Sequence, residues 1–302
     1  MVKLPDGLDI DKVIDDLRIY SWEACDILIY YSQMLRDPKN KSNIIENSNN
    51  NDPVTLADLK VNELIISRIR DNYKDINWEI LSEENTKMDS NSCDLNSDWI
   101  WILDPLDGTK DFIQGTSNYA MHLALNYKKK PYLGVVLIPE KNELWISNGS
   151  KVWCENKNGH KRRASLLTNI VLKEMTIVTS KNHRNEVLKT LINLIKFKEI
   201  REMGSIGCKI ASLLRGECDI YISLSLPGKS APKDWDFAAP AAILVAAGGA
   251  ITNIDNKNLS FNQRNFEQRG VIIASSNKKT HREICLQIKE IIDSYNINPL
   301  IS

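Results

Sequence analysis

The sequence predicts an α+β fold in two parts, an antiparallel sheet flanked by helices followed by a layered α/β half. Three observations carry that expectation. Apolar, β-branched and aromatic runs follow one another at hairpin spacing between residues 78 and 154. From residue 175 onward strand-like and helix-like patterns alternate. Two helical periodicities precede both.

Apolar positions at Ile10, Val13, Ile14 and Leu17, then Ala24, Ile27, Leu28 and Tyr31, predict a long amphipathic helix over 9–35. The asparagine-rich ENSNNND at 46–52 predicts a loop. Thr55 and Asp58 make a capping box that opens a second helix, running through Leu59, Leu64 and Ile65 to about residue 70. Strands are expected at WEIL (78–81), WIWIL (99–103), YAMHLALNY (119–127), YLGVVLI (132–138), ELWIS (143–147) and 151–154. The hydrophilic NKNGHKRR at 156–163 is the expected boundary between an N-terminal α+β domain, 1–163, and a C-terminal α/β domain, 164–302. Beyond it the order reads strand MTIVTS, helix HRNEVLKTLINLI, strand IREM, helix GCKIASLLRGE, strand CDIYIS, helix DFAAPAAILVAAGGA, strand GVIIAS and a last helix, KTHREICLQIKEIIDSY.

Thirty-nine basic residues balance thirty-nine acidic ones over 302 residues, so no global positive field is available to hold a nucleic-acid polymer. The first residues, MVKLPDGLDIDKVIDD, lack the apolar core of a signal peptide, and no run approaches the roughly 18 apolar residues of a membrane helix. The six cysteines contain no C-x-x-C pair and are expected to be reduced, packed thiols of a cytoplasmic enzyme.

The stretch WILDPLDGT carries a buried strand into two carboxylates. In a straight strand residues three apart point to opposite faces, but Pro105 and the turn-forming Asp107-Gly108 bend the chain, so Asp104 and Asp107 can converge with the Leu106 carbonyl between them. Those are hard oxygen donors suited to magnesium. Gly108 and Thr109 then open a short helix whose N–H groups form an anion site, and metal beside anion implies a phosphate ester. An incidental acidic turn is the alternative. Three further carboxylates favour the metal. Glu83 follows the strand WEIL, Asp58 lies in the first turn of a helix where capping is the simpler reading, and Asp236 starts a helix too apolar to be exposed.

The order D-P-V-T-L-A-D, S-E-E, W-I-L-D-P-L-D-G-T and W-D-F-A-A-P resembles the lithium-sensitive, magnesium-dependent phosphomonoesterase superfamily of inositol monophosphatase and fructose-1,6-bisphosphatase, over roughly residues 10 to 290. The resemblance implies a layered αβαβα sandwich and two or three Mg²⁺ ions. Glu83, Asp104, the Leu106 carbonyl, Asp107 and Asp236 are implied as ligands, and Asp58 with Thr109 as the pair that orients water. Glu83, or Thr109 backed by Asp58, would take that water's proton.

D-G-T-K-D-F, with Lys110 and an acidic Asp111, resembles the 3′(2′),5′-bisphosphate nucleotidases, including the CysQ type. So do the segment 204–217, with Lys209 seven residues before Gly216, and T-S-K-N-H, in which Ser180 and His183 would line the adenine side. Each has a plainer reading: Lys110 as a solvated charge, His183 as a helix cap, Lys209 as an exposed lysine. Ile206 stands where some relatives have serine, with Ser205 beside it, and SLSLPGKSAPK is long. The resemblance implies adenosine 3′,5′-bisphosphate as substrate, held by Gly108, Thr109, Lys110, Ser180, His183, Ser205, Lys209 and Asp236, and a role in sulfur metabolism. The alternatives are an inositol monophosphatase-like enzyme and a non-catalytic nucleotide or metal sensor. No stripe of residues marks an oligomer interface.

Overall fold

The computed structural model describes residues 4–5, 8–46, 53–88, 95–182, 185–295 and 297. Among them the helices are α1 (Ile10–Leu35), α2 (Lys41–Ile44), α3 (Leu56–Asn72), α4 (Glu83–Met88), α5 (Thr109–Ile113), α6 (Glu186–Ile195), α7 (Ile206–Leu214), α8 (Asp234–Ala247) and α9 (Lys278–Ser294). The strands of the first half are β1 (Ile45–Glu46), β2 (Val54–Thr55), β3 (Glu79–Ser82), β4 (Trp99–Asp107), β5 (Ala120–Tyr127), β6 (Lys130–Ile138), β7 (Glu143–Ser147), β8 (Val152–Glu155) and β9 (Lys161–Arg162). Those of the second are β10 (Thr176–Ser180), β11 (Glu199–Met203), β12 (Ile220–Leu224), β13 (Ala250–Asn253) and β14 (Val271–Ser275).

Strands β3 to β9 form a sheet in sequence order, antiparallel except for the parallel pair β3–β4. The second sheet runs β11-β10-β12-β14-β13, parallel on the β11-β10-β12 side and antiparallel beyond. The layering follows from side-chain alternation. Trp99, Trp101 and Leu103 of β4 pack with α1 and α3, while Ile100 and Ile102 face the other way, against α7 and α8. Tyr221 and Ile272 of the second sheet close that middle layer, and its outer face packs Ile222 and Ile273 against α6 and α9. The order is therefore helices, sheet, helices, sheet, helices, the αβαβα sandwich expected.

A strand covered on both faces reads as a continuous apolar run, which is why WIWIL is buried throughout. Helix α8 is apolar all round for the same reason, being enclosed between two sheets. Helix α1 starts at Asp9, whose side chain accepts from Asp11 N at 3.0 Å, and α3 opens with the expected Thr55–Asp58 capping box.

Several element ends differ from expectation: β4 runs on past residue 103 to Asp107, and α7 stops at Leu214 rather than at 217. The helix read through residue 250 stops at Ala247, because Gly248 turns left-handed at φ 97°, and β13 begins two residues later. Asn185 caps α6 by accepting from Leu188 N at 2.9 Å, so the helix starts later than residue 183. No helix is long and apolar enough to cross a membrane among the described residues. Cys25, Cys154, Cys208, Cys218 and Cys285 are buried free thiols, and Cys93 lies outside the described residues.

Candidate active site

Strand β4 pairs with β5 in register as far as Asp104↔His122, then shifts before Asp107↔Ala120. This irregularity lets both carboxylates face one point. Leu106 N donates to Asp104 Oδ1 at 3.0 Å, which holds the turn between them. Asp236 arrives from the first turn of α8, with Oδ2 accepting from Lys233 N at 2.5 Å. Oxygens of Asp104, Asp107 and Asp236 all lie within 4.8 Å of one another.

Burial pushes the Asp104 carboxyl well above the usual carboxylate range, and the charges of Glu83, Asp107 and Asp236 push it further. Burial does the same to Asp236, reinforced by Asp107 and Glu83. Crowded carboxylates of this kind need a cation, and an all-oxygen donor set fits a hard divalent ion such as magnesium. Glu83, first residue of α4, adds its charge and a hydrogen bond to Asp104. It also pairs with Lys87 Nζ at 2.9 Å, so it joins the cluster from the side carrying its own cation.

The structure brings Asp58 and Thr109 together. Asp58 is buried, and its Oδ2 accepts from Thr55 N at 2.7 Å and Thr55 Oγ1 at 2.6 Å. Thr109 Oγ1 lies 3.4 Å from Asp58 Oδ1 and 3.0 Å from the Leu106 carbonyl. The Asp58 carboxyl is pushed up to about 8, chiefly by burial and then by the charges of Glu84 and Glu83, against the hydrogen bonds from Thr55. Gly108, at φ 89°, makes the turn into α5; a Cβ there would stand 2.9 Å from Asn118 O and 3.2 Å from Ser205 N.

Asp107 ties this half to the next. Its Oδ2 accepts from Ser205 Oγ at 2.6 Å, from Ile206 N at 2.5 Å and from Gly207 N at 3.3 Å, so a strand-end carboxylate caps α7. Ser205 also caps that helix through Cys208 N at 3.1 Å. Lys209 is almost fully buried rather than an exposed lysine at a helix start. Its Nζ donates to Gly204 O at 2.6 Å and stands 5.4 Å from the centre of the Tyr221 ring. Burial lowers its pKa, opposed by the charges of Asp107, Asp236 and Asp111.

Lys110 sits half-buried in α5, and Ser180 ends β10 opposite Met203. His183 lies outside the described residues. Sequence reasoning noted Asp111 without giving it a role, and missed His122. Asp111, fully buried, accepts from Thr116 Oγ1 at 2.7 Å and from Asn182 Nδ2 at 2.8 Å, joining α5 to the end of β10. His122 is fully buried behind Asp107. A lone histidine inside the apolar run YAMHLALNY was the available signal for it.

A family model described as the inositol monophosphatase family matches residues 21–293. The chain is 30% identical over 213 residues to a protein of Buchnera aphidicola named 3′(2′),5′-bisphosphate nucleotidase CysQ, a match covering 70% of this chain and 75% of that protein. A Shigella flexneri protein of the same name is 29% identical over 216 residues, covering 71% and 81%. Among solved structures, a Thermotoga maritima IMPase superposes with a TM-score of 0.69 at 21% identity, covering 94% of this chain and 99% of that one, which shows the shared fold. With a family match across most of its length, the chain belongs to the inositol monophosphatase family and is a phosphatase.

Proposed function

We propose that this phosphatase is a magnesium-dependent 3′(2′),5′-bisphosphate nucleotidase that converts adenosine 3′,5′-bisphosphate and water to AMP and phosphate. The observation that carries the reading is Lys209. A lysine kept inside the protein among Asp107, Asp236 and Asp111 supplies the fixed positive charge that a second substrate phosphate would use. The nucleotidase names of the relatives at 29–30% identity support the same substrate class.

Asp104, Asp107, Asp236, Glu83 and the Leu106 carbonyl would hold the magnesium. When bound, magnesium acidifies a neighbouring water and offsets the charge of the phosphoryl oxygens. Thr109 Oγ1 and Asp58 would orient the attacking water and take its proton as its oxygen bonds to phosphorus, while the P–O ester bond breaks and the leaving oxygen takes a proton from solvent. A nearby cation also favours the ionised form of Asp58, which Glu84 and Glu83 otherwise disfavour. The N–H groups of Gly108 and Thr109, at the first turn of α5, face the reacting phosphate. Ser205, Lys209 and Lys110 take the remaining phosphate and sugar, and Ser180 with His183 the adenine side. On this reading the first of the proposed domains, 1–163, carries the metal ligands except Asp236, and 164–302 completes the pocket.

Phosphate release from adenosine 3′,5′-bisphosphate, inositol 1-phosphate and fructose 1,6-bisphosphate, measured side by side with and without Mg²⁺, tests the proposal. The nucleotide should have the largest kcat/KM, and chelation should abolish turnover. A preference for inositol 1-phosphate would replace the nucleotidase reading with the inositol monophosphatase-like one.

A further inference from the structure

The three converging carboxylates come from two segments far apart in the chain, and one side chain stands behind all of them. His122 of β5 is the register partner of Asp104. Its Nε2 lies 3.3 Å from Asp107 Oδ2, and its Nδ1 lies 3.4 Å from the carbonyl of Trp235, the residue before Asp236. The ring is fully buried. Although Nε2 is within ion-pair distance of Asp107, it makes no hydrogen bond of good geometry. The contact that meets hydrogen-bond geometry is at Nδ1, with the Trp235 carbonyl.

We propose that His122 is a positioning residue for the carboxylate cluster. Its Nδ1–H donates to the Trp235 carbonyl and so sets the distance from β5 to the start of α8 and hence to Asp236, while the ring backs Asp107 from 3.3 Å away. Both acceptors facing the ring are oxygens, and a neutral imidazole has one N–H. The contact with hydrogen-bond geometry is the one to the Trp235 carbonyl, which only accepts, so the proton belongs on Nδ1. Asp107 Oδ2 already takes donors from Ser205, Ile206 and Gly207, all from the second half of the chain. The His122 ring packs 3.3 Å behind the same carboxylate from the first half of the chain. Room for the ring is made by Gly207, where a Cβ would stand 2.2 Å from His122 Nε2. The helical start of α7 would otherwise accept alanine, so the glycine is explained by the imidazole it faces.

The inference rests on the cluster being the magnesium site. It is tested by calorimetric Mg²⁺ titration of wild type, His122→Leu, His122→Asn and Gly207→Ala, with thermal unfolding of each metal-free protein. Loss of a group that orients a metal ligand weakens affinity by about 10–100-fold. That loss is expected for His122→Leu and for Gly207→Ala, which keeps the imidazole but displaces it. His122→Asn, whose amide can still donate, should recover part of it. Gly207→Ala decides the matter if His122→Leu does not fold. Wild-type affinity in Gly207→Ala and in folded His122→Leu, even with lowered thermal stability, would reduce His122 to packing and overturn the inference. A wild type that binds no Mg²⁺ at tens of millimolar would instead overturn the metal reading itself, and this inference with it.

Discussion

The hydroxyl of Thr109 lies 3.4 Å from Asp58 Oδ1, joining the first turn of α5 to the first turn of α3 across 51 residues of chain. Asp58 cannot swing away, because its other oxygen is held by the Thr55 amide and hydroxyl. Thr109 Oγ1 also reaches the Leu106 carbonyl at 3.0 Å, so one proton is shared between an implied ligand and an implied base.

Thr109→Val keeps the shape and removes that hydroxyl. The expected outcome is a fall in kcat of about 10²–10⁴-fold, the range for a lost general acid–base group, with Mg²⁺ affinity unchanged by calorimetry. Thr109→Ser should retain most activity. Full turnover in the valine variant would remove Thr109 from the mechanism.

Asp104→Asn and Asp236→Asn should each abolish hydrolysis and weaken Mg²⁺ binding. Burial and mutual repulsion raise both carboxyls, so removing one charge also relieves the metal-free protein. Each kcal/mol of relief should raise its Tm by about 2–4 °C. Lower affinity with a higher metal-free Tm is the signature; normal affinity with normal turnover would defeat the ligand assignment.

Lys209→Met keeps the buried aliphatic stem and removes the charge. A hydrogen bond to a charged group is worth about 1.5–3 kcal/mol, so kcat/KM for adenosine 3′,5′-bisphosphate should fall roughly 10 to 150-fold. The value for 3′-AMP, which lacks the second phosphate, should fall much less. Equal losses would assign Lys209 to the support of Gly204 and the α7 start, its hydrogen-bonded position here.

A separate pH dependence sits far from the carboxylates. His281 is buried, with Nδ1 2.8 Å from Ser275 Oγ, Nε2 2.8 Å from Thr252 Oγ1 and Cys285 Sγ at 3.5 Å. Burial lowers its pKa to about 4 from the ordinary 6.5. The folded state therefore binds this proton less readily than the unfolded one. Its contribution is complete above about pH 6.5 and is lost as the pH falls from there toward 4, by about 3 kcal/mol in all. The check is the stability difference between wild type and His281→Gln, measured from pH 7 to 4 in metal-free protein; a difference independent of pH would show that the ring is not held neutral.

Adjacent signals explain what was readable in advance. The capping box at Thr55 and Asp58, the strand end at Asp104 and the turn at Asp107-Gly108 are each written within a few residues, and backbone sterics at that range do not need the rest of the chain. Apolar runs such as WIWIL announce strands buried on both faces, and the alternation of strand and helix announces a layered second half, while the full αβαβα order was implied by the family resemblance. Periodicity was less decisive around residues 248–250, where helix end and strand start share one apolar stretch and the left-handed Gly248 marks the break.

The amino-acid order by itself determined the elements, the layered class and the carboxylates that end the strands, because these depend on local geometry and on which residues avoid water. Only the tertiary structure decided that Asp107 caps α7 through Ser205 and Ile206, that Lys209 is buried, and that His122 stands between Asp107 and Trp235. Those relationships join residues roughly a hundred positions apart across packed layers. No local propensity encodes them, since they exist only once α7 and α8 have been sealed between the two sheets.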